Sequence, residues 1–100
     1  MAIKVLIKRK FKTGNLNQVS QLLNRARYSA MGMKGYISSE TLTDLRDAHR
    51  IVVASMWHSI EDWNNWKTNP SRSEFMGEME KIMVGPEEME AYAMGMKTDA

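Results

Sequence analysis

The first strong signal along the chain is an alternation. Between residues 3 and 12, Ile3, Val5, Ile7 and Phe11 fall on one parity and Lys4, Lys8 and Lys10 on the other. That is the pattern of a strand with one buried face. Two residues break it: Leu6 is apolar on the polar face, and Arg9 is charged on the apolar one. Thr13-Gly14-Asn15 marks a turn, with Asn15 placed to cap a helix and Gln18 to complete a capping box. From Leu16 to Met31 the period becomes helical: Leu16, Val19, Leu22, Leu23, Ala26 and Ala30 form one stripe. Gly32 supplies a stop.

A second strand is predicted over residues 35–42 and a polar connection over 43–47. The third strand, 48–57, is apolar on both parities, with Ile51, Val53 and Trp57 on one and Val52, Ala54 and Met56 on the other. A strand covered on both faces reads this way. Ser59 is a helix cap with Asp62 at the complementary position, and Ile60, Trp63 and Trp66 share a face. Asn69-Pro70 restarts this second helix, with Asn69 as cap and Pro70 at the first helical position. The resumed part turns Phe75, Met76, Met79, Ile82 and Met83 inward, and Gly77 in its interior suggests close packing or pocket space. Gly85-Pro86 ends it, and residues 87–96 form a last strand.

The resulting order, β-α-β-β-α-β, predicts an α+β, ferredoxin-like domain spanning residues 1–100, with both helices on one side of an antiparallel sheet. The apolar second face of the third strand then needs a cover, and a second copy of the chain is the simplest one, so a homodimer is expected.

Charge sharpens this picture. The first 39 residues carry eight of the fourteen Lys and Arg and no acid; all twelve acids follow. Basic residues alternating with apolar ones favour neutralisation inside the fold over nucleic-acid binding. Pairing of the last strand with the first would set Glu87, Glu88 and Glu90 near Lys4, Lys8 and Lys10. The absence of cysteine excludes thiol chemistry and disulfides and fits a reducing compartment. With no secretory or membrane-spanning run, a cytoplasmic location and no membrane partner are expected. The two histidines, His49 and His58, have no metal-ligand spacing, so no metal site is expected. Ten methionines suit an adaptable core.

Candidate chemistry gathers where the third strand meets the second helix. Trp57, Trp63 and Trp66 cluster there and provide either core packing or an aromatic wall. The segments Gly35-Tyr36-Ile37-Ser38-Ser39-Glu40-Thr41-Leu42 and Trp57-His58-Ser59-Ile60-Glu61-Asp62-Trp63-Asn64-Asn65-Trp66 resemble the antibiotic biosynthesis monooxygenase family. That resemblance implies a ferredoxin-like homodimer whose sheets pack as an α+β barrel, with a pocket between helices and sheet. It also implies oxygenation of aromatic or polyketide-like molecules with no metal or flavin cofactor. Trp66 matches the family's pocket tryptophan and is the catalytic candidate that the resemblance supplies. His58 as proton-transfer group and Arg9 as anion-stabilising group are catalytic candidates from position alone. Ile7, Trp57, Trp63, Phe75, Met76 and Met79 are the candidates for contact with a small apolar or aromatic ligand. The competing reading is a non-catalytic ligand-binding or regulatory dimer of the same fold. The haem-degrading branch of the family uses a first-strand asparagine and a helical histidine; here Ile7 or Lys8, and Met76, take those places, so haem turnover is not expected.

Overall fold

In the computed structural model, which describes residues 1–99, the chain begins with strand β1 (Ile3–Lys10). It continues through α1 (Leu16–Met31), β2 (Tyr36–Thr43), β3 (Arg50–Trp57), α2 (Ile60–Lys67), α3 (Pro70–Glu80) and β4 (Glu88–Ala93). The four strands form one antiparallel sheet in the order β2-β3-β1-β4. This is the expected ferredoxin-like α+β architecture, with the second helix divided in two. The division falls at Asn69-Pro70, where the Asn69 side chain accepts from Ser71 N and Pro70 opens α3. Pro70 has no N–H to continue the preceding helix, but its fixed φ suits a first turn.

Parity decides what β1 buries. Ile3, Val5 and Ile7 face the helices and are buried, and Phe11 follows them on the same side. Opposite them on β3 stand Trp57, Ser55 and Val53, so the two central strands share one inner surface. Val19, Leu22 and Ala30 of α1, Trp63 and Trp66 of α2, and Phe75, Met76 and Met79 of α3 close over it. Beyond α3, Ile82 and Met83 tie the helical layer to the end of β1: Lys12 N donates to Ile82 O, and Phe11 bridges Met83.

Several local expectations change. Asn15 does not cap α1; its side-chain amide donates to Thr13 O instead, and no capping box forms. Gly32 ends α1 in a right-handed conformation, and the left-handed turn falls at Gly35, φ 85°. β2 carries a bulge between Tyr36 and Ser38. One extra residue reverses the parity, so Tyr36, Ser39 and Thr41 all face inward and Tyr36 Oη lies 2.7 Å from Ser39 Oγ. Gly77 is neither tightly packed nor beside a cavity: a Cβ there would meet open space. By contrast, a Cβ on Gly35 would collide with the Asp62 side chain, which is held at the start of α2 by its hydrogen bond with Ser59.

The charge asymmetry of the sequence resolves into pairs. Lys8 Nζ lies 2.5 Å from Glu90, Lys10 is 3.9 Å from Asp47, Arg25 is 2.7 Å from Glu78, and Arg9 meets Glu87. Each pair joins a base of the first part to an acid of the second. Hydrogen bonds from Lys8 and from Tyr92 hold the Glu90 carboxyl below the usual range.

The two glycines give opposite expectations for one substitution. Gly35→Ala places a side chain at positive φ and displaces Asp62, and should destabilise the protein by about 2–4 kcal/mol. Gly77→Ala, in an open helix interior, should stabilise it by about 0.5–1 kcal/mol. Urea unfolding followed by tryptophan fluorescence measures both.

Candidate active site

Between the helical layer and the sheet lies a small pocket that opens to solvent at its mouth. It exists because the residues that face one another there are small. Ala26 and Ala30 of α1 look across at Ser39 and Thr41 of β2 and Ser55 of β3. Large rings bound the space without filling it: Trp57 from β3, Trp63 and Trp66 from α2, and Phe75 from α3. Their spacing is a product of helix geometry, since residues three apart share a face. Trp63 and Trp66 are paired this way on α2, as are Arg72 and Phe75 on α3.

The aromatic wall is interlocked. Tyr36 and Trp63 each meet Trp57 edge-on, with centroids 5.6 and 5.9 Å apart, and Trp66 lies 6.0 Å from Phe75. Trp57 is fully buried, and its indole N–H donates to Ser55 Oγ at 3.0 Å. The site therefore offers apolar ring faces and edges, with the Trp57 indole N–H and the Tyr36 hydroxyl already paired.

One end of this wall is charged. Arg9 from β1 and Arg72 from α3 both line the cavity and are both buried. Arg9 Nε donates to Glu87 Oε2 at 2.9 Å, and Arg72 Nη2 donates to Glu87 Oε1 at 3.2 Å. Arg9 Nη2 also lies 3.7 Å from Met76 Sδ. Burial lowers the Arg9 pKa from its ordinary value, and Glu87 acts against that shift. An arginine starts so far above neutrality that it keeps its charge. Arg27 adds a third cation, and none of the lining residues is Asp, Glu or His.

Of the residues singled out from sequence, Ile7, Arg9, Trp57, Trp63, Trp66 and Phe75 lie together on this wall. Met76 is buried behind Arg9, and Met79 is wholly within the core. His58 is exposed; its backbone N–H donates to Gly35 O, and its ring is not part of the wall. Arg72 was not singled out, and Glu87 was expected only beside the lysines of the first strand, whereas it binds Arg9 and Arg72. Arg72 did leave a signal: it stands on the inward stripe of α3 with Phe75, Met76 and Met79, a charge on an apolar face just as Arg9 is on β1. Glu87 left none, because its partners come from other elements. Among the described residues no group of three or more His, Cys, Asp or Glu is placed to hold a metal ion, and no helix is long and apolar enough to cross a membrane.

The sequence profile of the antibiotic biosynthesis monooxygenases matches residues 2–78. The chain belongs to the antibiotic biosynthesis monooxygenase family. No curated protein matches it in sequence. Among solved structures, one of Nitrosomonas europaea assigned to the same family is similar with a TM-score of 0.85 at 13% identity, covering 91% of this chain and 88% of that one. A conserved protein of Methanosarcina mazei gives a TM-score of 0.86 at 14% identity, covering 92% and 91%. SnoaB of Streptomyces nogalater, a cofactor-independent oxygenase, gives 0.84 at 8% identity over 99% and 98%. At these identities the likeness is one of fold.

The shared carboxylate makes the cluster asymmetric towards mutation. Glu87→Ala would strand two buried cations and should destabilise the protein by about 3–5 kcal/mol. Arg72→Gln leaves Arg9 and Glu87 as a balanced pair and should destabilise it by about 1–2 kcal/mol. Equilibrium unfolding of the two variants measures the difference.

Proposed function

We propose that the protein is a cofactor-independent monooxygenase that oxidises an activated carbon of an aromatic or polyketide-like molecule in this cavity. The observation that carries the reading is the pairing of an aromatic wall with buried guanidinium groups and no lining acid. Such a site holds a planar apolar molecule by ring contact and stabilises negative charge developing on it, in surroundings where electrostatic attraction is weakly screened. Family membership supports the reaction class. In the proposed step a ring-flanked CH₂ group loses a proton, and the carbanion reduces dioxygen. One oxygen atom becomes the new carbonyl; the other leaves as water with the two hydrogens lost from carbon. Trp66 and Phe75 position the ring, and Arg9 stabilises the substrate anion. His58 has no part in this reading, because its exposed ring does not line the cavity. Haem has no part either: the Met76 sulfur is turned to Arg9.

Anthrone, a tricyclic ketone with one acidic CH₂ group, is a suitable probe. An oxygen electrode should record one O₂ consumed per quinone formed, above the spontaneous rate. Labelled dioxygen should leave one labelled atom in the product. Trp66→Ala should lower kcat/KM by about tenfold or more. Binding without oxygen uptake would favour the non-catalytic ligand-binding dimer.

The same reading includes a homodimer formed through the sheet face opposite the helices. There Leu6, Val52, Ala54 and Met56 on the two central strands form an apolar centre, with half-exposed Leu42 and Tyr92 on the edge strands. A self-complementary patch of this kind suits a two-fold interface. Sedimentation equilibrium at micromolar concentration should give twice the 11.5 kDa chain mass. Leu6→Glu, which places a charge in the patch, should return the monomer.

A further inference from the structure

The three charges at the end of the cavity do not sum to zero. Glu87 gives one oxygen to Arg9 and the other to Arg72. All three side chains are largely withdrawn from solvent, at 5%, 9% and 14% exposure for Arg9, Arg72 and Glu87. One carboxylate therefore answers two guanidinium groups. The rest of their surroundings adds little negative charge: Arg9 Nη2 faces a methionine sulfur, a weak acceptor, and Arg72 lies 5.9 Å from the Trp63 ring centroid. Each guanidinium carries five N–H donors, and these contacts engage only some of them. Among the described residues no fully buried side-chain nitrogen or oxygen lacks a partner. Guanidinium nitrogens without a partner therefore keep some exposure, and both arginines lie on the cavity wall. A buried cation in excess is costly unless an anion meets it.

We infer that the missing anion belongs to the ligand: the cavity selects a planar aromatic molecule carrying a permanent negative charge, an aromatic carboxylate. Its ring lies against Trp57, Trp66 and Phe75, and its carboxylate meets the free edges of Arg72 and Arg9. A planar carboxylate matches the forked geometry of a guanidinium, and its charge offsets the one cation in excess among Arg9, Arg72 and Glu87, while Arg27 adds a further positive charge at the exposed wall. Arg72 is then a specificity-determining residue, and Glu87 is the counter-ion that fixes the excess charge at one. Glu87 lies beyond residue 78, where the match to the family profile ends. The inference rests on the proposed reading of the cavity as an aromatic-ligand site.

Two probes of the same shape separate charge from ring contact: naphthoate and its neutral amide, naphthamide. Titrations of the full chain are followed by quenching of tryptophan fluorescence. Naphthoate should bind about tenfold or more tightly than naphthamide. Arg72→Gln should reduce that preference to about twofold or less. Arg72→Lys, which keeps the charge but loses the fork, should retain part of the preference. Should Arg72→Gln fail to fold, Arg72→Lys decides: a reduced preference supports the inference and an unchanged one overturns it. Equal binding of both probes by the unaltered protein, or a preference that survives Arg72→Gln, overturns the inference and leaves the aromatic-ligand reading standing. Binding of neither probe overturns both.

Discussion

Arg9 lies on a central strand with Ile7 and Phe11 two residues to either side, facing a helical layer of tryptophan, phenylalanine and methionine. Withdrawing a guanidinium from water costs several kcal/mol. This sheet face therefore requires an anion at that depth, and Glu87 supplies it from the residue before β4. The need for this pair constrains the rest. β4 must run beside β1, which the order β2-β3-β1-β4 provides. Residues Met89, Ala91 and Ala93 of β4 are exposed, so its place depends on backbone pairing and on Glu87 more than on burial of its own side chains.

Arg72 ties α3 into the same arrangement. Its bond to Glu87 links the helical layer to the last strand, and its position over Trp63 links α3 to α2. The cluster thus joins four elements at one end of the cavity, while small residues on α1, β2 and β3 keep the middle open. The site combines close packing at its rim with unfilled space at its centre, and a charge excess with an apolar wall. Both are unfavourable in an unliganded core and favourable once a ring and an anion are present.

Much of this was legible locally. Alternation, broken at Leu6 and Arg9, gave β1, helical spacing gave α1 from Leu16 to Met31, and the Ser59 and Asn69-Pro70 caps gave the starts of α2 and α3. Each depends on neighbours a few residues apart. The inward positions of Ile7, Trp57, Trp63, Trp66 and Phe75 followed from the same periodicities, while a pocket there was implied by the family resemblance. What was not legible depends on distant partners. The bulge in β2 brings Tyr36, Ser39 and Thr41 to one face, and it is set by pairing with β3 rather than by any turn residue at Ile37. Asn15 has the right chemistry for a cap, yet its amide is engaged by Thr13. Glu87 looked like one of three acids in a polar run; only the fold brings it to Arg9, 78 residues away in sequence. The odd residues on apolar faces, Arg9 and Arg72, were the visible trace of that cluster.

The central claim is that Arg9 and Arg72 share one carboxylate and keep donors free for an anion in the cavity. Guanidinium ¹⁵N–¹H resonances report on these groups directly, with Arg25, paired to Glu78 on the surface, as an internal reference. Of the Arg9 and Arg72 side chains, the account predicts that the Arg9 Nε–H, bonded to Glu87, is protected from solvent exchange in the free protein. It also predicts that both shift together as an aromatic carboxylate is added, while Arg25 stays in place. Rapid exchange of Arg9 Nε–H in the free protein would contradict the account. So would ligand-induced shifts confined to the tryptophan indoles.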